Sequence, residues 1–335
     1  MVLNFVPMMK ATIKYLAGIP GPSGYGSKTA AKQVAEDCLR SMRRPTPHLT
    51  VTAIVTGATS GLGAETARVL AKNGVRVIIP ALYRELSKAE KVKENIQKEN
   101  QESEIIISEM DLCSFASIQR FCSDFLSLGL PLHILINNAG IMSNKLEFSE
   151  DNIEQTFATN YLGHFLLTEM LLGKIMETAS ESGKEGRIVN VSSVAHNWAS
   201  AKNFCFDKLL NPESYNQGRA YAQSKLATIL HAKELARQFK GAATTCYVAL
   251  SPMTTGLSGK YFADCNETNC SPLANDETEA RKLWNQTWAF IQSRLHQPLD
   301  QNVTNLSQSA GSRLLNNTAI FIILSYPILA GVCQL

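Results

Sequence analysis

An apolar run that ends in a glycine-rich turn and leads directly into a helical pattern is the strongest constraint on this chain. Residues 51–55 are Val-Thr-Ala-Ile-Val, and residues 56–63 continue as Thr-Gly-Ala-Thr-Ser-Gly-Leu-Gly. We expect Gly57 to allow a sharp turn, Gly61 to let the backbone approach an anion, and Gly63 to let the helix pack close to the strand. The free N–H groups and positive dipole end of that helix favour a phosphate group. The turn predicts a dinucleotide site formed by Gly57, Ser60, Gly61, Leu62 and Gly63.

Apolar runs rich in Val and Ile alternate with helix-period patterns between residues 50 and 192. The runs predict five buried strands, at residues 51–55, 75–79, 105–108, 132–136 and 187–191. The segments between and after them predict helices, at residues 64–72, 87–99, 115–128, 153–179 and 219–239. Continuous apolar strands that are each followed by a helix are typical of a parallel sheet covered on both faces. The sequence predicts an α/β fold of the Rossmann type, a doubly wound parallel sheet flanked by helices.

The residues after the second predicted strand indicate which dinucleotide the site favours. Sites for NAD usually place an acidic residue there, whose carboxylate accepts hydrogen bonds from the ribose hydroxyls. Residues 80–84 are Pro-Ala-Leu-Tyr-Arg, and no acid occurs before Glu85. Arg84 can pair with a 2′-phosphate, which favours NADP(H) over NAD(H); a solvated arginine in a loop is the alternative. Asp111, after the third predicted strand, can accept a hydrogen bond from the adenine amino group.

Three further features follow in order along the chain. Asn-Asn-Ala-Gly at residues 137–140 ends the fourth predicted strand, serines at 192 and 193 end the fifth, and Tyr-Ala-Gln-Ser-Lys begins at Tyr221. The (i, i+4) spacing places the Tyr221 phenol and the Lys225 ammonium on one helix face. Because a nearby ammonium favours the phenolate, we expect the pKa of Tyr221 to lie below its usual value of about 10. Tyr221 is then suited to acid–base catalysis, Lys225 can hold a nicotinamide ribose, and a serine hydroxyl can polarise a carbonyl.

These motifs in this order resemble the short-chain dehydrogenase/reductase family: TGxxxGxG at residues 56–63, NNAG at 137–140, a serine at 193 and YxxxK at 221–225. The resemblance implies a nicotinamide-dependent oxidoreductase in which Ser193, rather than Ser192, is the catalytic serine and Tyr221 is the acid–base group. The implied catalytic set is Asn160, Ser193, Tyr221 and Lys225. The implied cofactor contacts after the glycine turn are Arg84, Asp111, Asn138, Ala139, Gly140, Tyr221 and Lys225.

Within that family the chain is similar to the retinol-dehydrogenase-like branch. More narrowly, it resembles plant members associated with the translocon of the chloroplast inner envelope. Residues 21–28 and 259–266 carry this likeness, which extends from residue 11 to about residue 295. The resemblance implies a location at the chloroplast inner envelope, with the cytoplasm as the alternative.

The sequence departs from the family pattern after Phe239. The resemblance implies a sixth strand, a Pro-Gly turn and a helical substrate loop at this point, but residues 240–245 pass directly into a further helical pattern at residues 242–250. We therefore expect the sixth strand and the substrate loop to be missing between residues 239 and 241. The fifth strand would then have an unpaired edge, and the last predicted strand, residues 259–262, would lack its partner. A skipped exon, an imperfect gene model and a genuine non-catalytic isoform all fit this gap.

The chain divides into an N-terminal extension at residues 1–50, the dinucleotide-binding oxidoreductase domain at 51–300, and an apolar tail at 301–335. Residues 1–35 contain lysines but no acid, and their apolar residues fall roughly on one helix face. A membrane-surface or organelle-addressing helix and a short helix packed on the core both fit. Residues 318–333 are strongly apolar but fall short of the roughly 20 residues of a spanning helix. A docked or disordered tail is favoured over a membrane anchor.

The composition argues against several other classes of protein. A net charge of +3 with 18% charged residues and no dense basic block does not indicate a nucleic-acid partner. The six His and eight Cys show no paired spacing, so we expect no metal site. The leading hypothesis is an NADP-dependent oxidoreductase that transfers a hydride between nicotinamide and a small-molecule carbonyl or alcohol. The alternative is an NADP-binding, non-catalytic isoform or regulatory protein; membrane-surface association and oligomerisation stay open.

Overall fold

The computed structural model describes residues 16–42, 50–199, 215–238, 259–263, 266–295 and 318–324. It contains one sheet, with strand order β3-β2-β1-β4-β5-β8-β6-β7. Neighbouring strands from β3 to β6 pair in parallel, and β6 and β7 pair antiparallel. The strands are β1 (Thr52–Val55), β2 (Arg76–Ala81), β3 (Ile105–Glu109), β4 (Ile134–Asn137), β5 (Gly186–Ser192), β6 (Tyr261–Ala263), β7 (Asn266–Glu267) and β8 (Thr318–Leu324).

Helices cover both faces of this sheet. They are α1 (Ala31–Met42), α2 (Gly61–Lys72), α3 (Leu86–Glu99), α4 (Phe115–Ser127), α5 (Gly163–Ser182), α6 (Gln217–Gln238) and α7 (Glu277–Arg294). Shorter helical turns lie at Tyr83–Glu85, Gln155–Phe157, Val194–Trp198 and Leu273–Asn275, and a π-helical segment lies at Ala158–Leu162. One buried apolar cluster joins the sheet to α4, α5, α6 and α7, and a second joins it to α1, α2 and α3. No described helix combines the length and apolarity needed to cross a bilayer.

The predicted fold class is confirmed. Each of the first five strands lies within two residues of its predicted bounds, because runs of Val and Ile fit strands that are buried on both faces. All four residues of β1 and of β4, the two central strands of this half, are buried. The carboxyl ends of β1, β4 and β5 lie side by side, which is where ligands bind in open parallel sheets.

The expected unpaired edge of β5 is a wrong prediction, because a segment of the apolar tail fills it. β8 runs parallel to β5 over seven residue pairs, from Gly186 with Thr318 to Ser192 with Leu324. On its other side it pairs with β6, so the last predicted strand also has a partner. The physical reason is that unpaired N–H and C=O groups of a strand edge favour any extended apolar segment that reaches them. The helix predicted at residues 242–250 lies outside the described residues.

The N-terminal extension packs on the domain over the part that the structure describes. Val34 and Ala35 of α1 are buried in the same apolar cluster as residues of α2. The Asn266 side chain also binds the loop that precedes α1. Its Oδ1 accepts from Ser23 N at 2.9 Å, and its Nδ2 donates to Tyr25 O at 3.0 Å. This part of the extension therefore has contacts at both its helix and its loop, and residues 1–15 lie outside the described residues.

Candidate active site

The glycine turn after β1 packs against the turn at residues 137–140. Gly57 has φ +65°, and a Cβ placed on it would lie 2.8 Å from Ala139 Cα. A Cβ on Gly63 would overlap the Gly57 carbonyl oxygen and the Asn138 side-chain amide. At Gly61, which has φ +53°, nothing lies within 4 Å of the Cβ position. The turn is thus closed on the protein side and open towards solvent at Gly61, as a backbone cradle for phosphate requires.

Thr56 fastens the two turns together. Its Oγ1 accepts the backbone N–H groups of Asn138 at 2.9 Å and Ala139 at 3.0 Å, while Asn138 Nδ2 donates to Thr56 O at 2.9 Å. Thr56 is part of the glycine motif, but the sequence analysis predicted no role for its side chain. Its role could have been inferred from its position at the end of a buried strand, next to another strand that ends in Asn-Asn.

A cleft of about 630 Å³ opens between these turns and contains every residue predicted to bind the cofactor. A volume of this size falls within the usual range for small-molecule and cofactor sites. The sequence did not single out several of its other lining residues, including Thr59, Cys113, Gln155, Thr159 and Val191. The predicted residues in the lining are Gly57, Ser60, Gly61, Leu62, Gly63, Arg84, Asp111, Asn138, Ala139, Gly140, Tyr221 and Lys225.

At the end of the cleft next to β2, an arginine is exposed and the nearest acid is engaged. Glu85 accepts from Thr59 Oγ1 at 3.2 Å and from Lys88 Nζ at 3.1 Å. Arg84, one residue earlier, is exposed and forms no ion pair with any residue that the structure describes. Asp111 Oδ1 accepts from Cys113 N at 2.8 Å. This end therefore offers a cation to an anionic group.

The two serines at the end of β5 have different partners. Ser192 Oγ donates to the backbone carbonyl of Lys225 at 2.7 Å, so its hydroxyl fixes α6 against the strand. Ser193 Oγ accepts from Ala195 N at 3.2 Å, and the same hydroxyl lies close enough to the Tyr221 phenol to lower the pKa of that phenol. The serine that faces the phenol is the one that the family resemblance selected.

Tyr221 and Lys225 face the cleft from the first turns of α6. Lys225 Nζ lies 5.7 Å from the centre of the Tyr221 ring and donates to Val191 O at 2.9 Å. Burial lowers the pKa of Lys225 to about 8. Burial also raises the pKa of Tyr221, and the nearby Ser193 hydroxyl lowers it by less. The expected lowering of the phenol pKa is thus wrong for this structure, because loss of solvation outweighs the stabilisation of the phenolate.

Asn160 lies beneath the cleft, in the π-helical segment, and is buried. Its Oδ1 accepts from Ile141 N at 2.8 Å, and its Nδ2 donates to Ile141 O at 2.9 Å and to Ser224 Oγ at 3.0 Å. A Cβ on Gly140 would lie 3.2 Å from Lys225 Nζ and 3.5 Å from Asn160 Oδ1. The structure therefore places Tyr221 and Lys225 in the lining of the cleft. Asn160, behind Gly140, and Ser193, close to Tyr221, are not among the lining residues.

Comparisons with known proteins agree with this arrangement. A family model described as short chain dehydrogenase matches residues 51–206. The chain is 40% identical over 322 residues to the short-chain dehydrogenase TIC 32 B, chloroplastic, of Brassica napus, covering 83% of this chain and 98% of that protein. It is 36% identical over 273 residues to retinol dehydrogenase 12 of Bos taurus, covering 69% and 83% of the two chains. A solved structure of an uncharacterised protein from Mycobacterium paratuberculosis has 28% identity and a TM-score of 0.57, covering 72% of this chain and 92% of that one.

The chain belongs to the short-chain dehydrogenase family, in the group that contains the retinol dehydrogenases and the TIC 32 proteins. It is an oxidoreductase that uses a nicotinamide dinucleotide. In the Brassica alignment, 322 aligned positions exceed 83% of this 335-residue chain. Part of that relative therefore has no counterpart here. Among the described residues, no group of three or more His, Cys, Asp or Glu side chains is placed to hold a metal ion.

Proposed function

We propose that this chain is an NADP(H)-dependent oxidoreductase that interconverts a small-molecule carbonyl and the corresponding alcohol. The observation that supports this most directly is the position of Tyr221 and Lys225 in the lining of the cleft that begins at the glycine turn, with the Ser193 hydroxyl close to the phenol. The open cradle at Gly61, the close packing that the absence of a side chain at Gly57 and Gly63 allows, and the volume of the cleft fit a dinucleotide. When bound, its nicotinamide ring supplies or accepts the hydride equivalent.

The roles of the side chains follow from their hydrogen-bonding capacity. In the reductive direction the Tyr221 hydroxyl donates its proton to the carbonyl oxygen, while the Ser193 hydroxyl orients that oxygen by a second hydrogen bond. In the oxidative direction the tyrosine oxygen takes the alcohol proton. The Lys225 ammonium lies 5.7 Å from the centre of the Tyr221 ring. Lys225 also lines the cleft, where it can donate to the nicotinamide ribose.

Arg84 supports the preference for NADP(H). Its guanidinium is exposed at the mouth of the cleft, and no carboxylate among the described residues neutralises it. Glu85, the first acid after β2, accepts hydrogen bonds from Thr59 and Lys88. A cation without a protein partner next to a bound ribose favours a 2′-phosphate.

We place the protein in the chloroplast. The support is the 40% identity over 98% of a relative whose name includes chloroplastic. The resemblance of residues 21–28 and 259–266 extends the proposal to the inner envelope, with the cytoplasm as the alternative.

A non-catalytic or regulatory NADP-binding protein is the second candidate function, and the departure after Phe239 favours it. The family pattern places its substrate loop there, so binding capacity can persist where turnover does not. The two candidates differ in whether any turnover depends on Tyr221.

The test combines NADPH fluorescence titration with a carbonyl-reductase assay on wild type, Tyr221→Phe and Tyr83→Phe. Tyr83 is exposed and lies outside the lining of the cleft, so its variant controls for loss of a phenol elsewhere. We expect all three proteins to bind NADPH with similar Kd, and only Tyr221→Phe to lose turnover, by about 10²-fold or more. Binding without Tyr221-dependent turnover would establish the second candidate.

A further inference from the structure

A buried histidine joins the cofactor turns to Asn160 without lining the cleft. His164 lies in the first turn of α5 and is 4% exposed. Its Nε2 lies 2.9 Å from Thr56 Oγ1, and its Nδ1 lies 3.2 Å from the backbone carbonyl oxygen of Asn160. Both ring nitrogens are therefore engaged, each with a residue of the site.

The acceptor at one end determines the tautomer of the ring. A backbone carbonyl can only accept, so Nδ1 must carry the proton that reaches Asn160 O. Burial lowers the pKa of His164 to about 3, so the ring is neutral and Nε2 is an acceptor. Thr56 Oγ1 then donates to Nε2, and this contact is shorter than the 3.3 Å from the same hydroxyl to Ile136 O.

The result is a directional chain of hydrogen bonds across the site. The N–H groups of Asn138 and Ala139 donate to Thr56 Oγ1, Thr56 donates to His164, and His164 donates to Asn160 O. The side chain of Asn160 in turn holds both backbone groups of Ile141.

The π-helical geometry makes the Asn160 carbonyl available to these donors. Asn160 is within Ala158–Leu162, where the regular α-helical hydrogen bonding is interrupted. Thr228 Oγ1 also approaches this carbonyl, but at 3.4 Å, and it lies closer, at 2.9 Å, to Ser224 O. His164 is therefore the closer of the two side-chain donors to Asn160 O.

We propose that His164 is a positioning residue: its Nδ1–H holds Asn160, and through that side chain Ile141 next to the turn at residues 137–140, in register, while Thr56 fixes the ring at Nε2. His164 is not among the residues that line the cleft. The inference rests on the proposed function, because the position of Asn160 matters only if the site catalyses the proposed reaction. No sequence signal singled out this histidine, although it lies four residues after Asn160 on the same helix.

Three substitutions separate the two hydrogen bonds from the volume of the ring. His164→Phe keeps the bulk and removes both bonds. His164→Asn keeps a donor at the Nδ1 position, and His164→Gln keeps an acceptor near the Nε2 position. The matched control is His133→Phe, because His133 is also buried but precedes β4 at the opposite end of the sheet.

We expect His164→Phe and His164→Gln to lower kcat about tenfold or more while the Kd for NADPH changes less than about threefold. His164→Asn should restore kcat to within about threefold of wild type, and His133→Phe should leave it unchanged. Equal kcat values for wild type and His164→Phe would overturn the proposal. So would an Asn variant as impaired as the Phe variant, since packing alone would then explain the loss.

A second measurement does not depend on turnover. In ¹⁵N-histidine-labelled protein, the ring resonances lost in His164→Asn belong to His164. We expect them to show a protonated Nδ1 and an unprotonated Nε2 throughout pH 5–9. An Nε2-protonated or titrating ring overturns the inference even in an active enzyme. Conversely, wild-type protein without Tyr221-dependent turnover contradicts the proposed function, while the ring resonances still decide on the hydrogen-bond chain.

Discussion

The Nζ atom of Lys225 lies 5.7 Å from the centre of the Tyr221 ring, and both groups are held where solvation is poor. Burial lowers the pKa of the lysine to about 8 and raises that of the tyrosine. The proposed chemistry therefore needs the Lys225 ammonium, although burying that charge destabilises the folded protein. Such opposition between stability and activity is common at active sites.

We expect Lys225→Met to abolish turnover and to raise stability at pH 7. Because the folded-state pKa is lowered, the unfolded chain binds the proton more tightly than the folded protein does. The resulting destabilisation is fully present below about pH 8 and is relieved as the pH rises from about 8 towards the unfolded value of about 10.5. Thermal melts at pH 7 should give a Tm higher by roughly 2 °C or more.

The control for that experiment is Lys91→Met, since Lys91 is exposed on α3. Its Tm should stay close to that of wild type at every pH. A Tm for Lys225→Met below that of wild type at pH 7 would contradict the destabilising role of the buried ammonium.

The two serines that end β5 should respond differently to the same substitution. Ser193→Ala removes the hydroxyl that faces Tyr221, and we expect kcat/KM to fall by about 10²-fold with little change in Tm. Ser192→Ala removes the bond to the Lys225 carbonyl, and we expect a loss of about 1 kcal/mol in the free energy of unfolding with most activity retained. Steady-state kinetics and denaturant titrations on both variants check this; the reverse pattern would assign the catalytic role to Ser192.

Arg84 should control the choice between the two dinucleotides. Arg84→Ala removes the exposed guanidinium, and we expect the Kd for NADPH to rise by about 10- to 100-fold while the Kd for NADH stays the same. Fluorescence titration with both nucleotides measures this. Arg281→Ala, an exposed arginine on α7, is the control and should change neither Kd. Equal weakening of NADPH and NADH by Arg84→Ala would show that Arg84 does not read the 2′-phosphate.

The apolar tail should matter to stability only through β8. A chain that ends at Asn317 lacks the strand between β5 and β6, and we expect a Tm lower by about 5 °C or more together with aggregation through the exposed β5 edge. A chain that ends at Leu324 keeps the strand and should behave as the full chain does. Thermal melts and light scattering on the two truncated chains test this prediction. The same Tm and the same scattering for both would contradict a structural role for β8.

Local sequence patterns predicted the half of the sheet that is formed by β1 to β5, the first five strands along the chain. Runs such as Val51–Val55 are readable because their burial on both faces requires Val and Ile, and Gly57 and Gly61 are readable because their backbone has positive φ. β8 was not predicted, because its pairing with β5 joins residues more than 130 positions apart and no local pattern encodes it.

The candidate site, like the fold, was predicted where local motifs define it and missed where distant contacts do. The glycine turn, Asn138, Ala139, Gly140, Tyr221 and Lys225 all line one cleft. The two turns do so because they follow β1 and β4, whose carboxyl ends meet at the same edge of the sheet. His164 and the direction of the Tyr221 pKa were missed. Both depend on burial and on partners from separate elements, which spacing along the chain does not reveal.

The central claim is that Tyr221 supports NADPH-linked reduction of a carbonyl in this cleft. The most direct measurement uses NADPH that carries deuterium at both C4 positions of the nicotinamide and follows the label into the alcohol product by mass spectrometry. The account predicts deuterium at the carbinol carbon with wild type and Tyr83→Phe, and a rate lower by about 10²-fold or more with Tyr221→Phe. Equal rates of label transfer with wild type and Tyr221→Phe, or no transfer by a wild-type protein that binds NADPH, would contradict it.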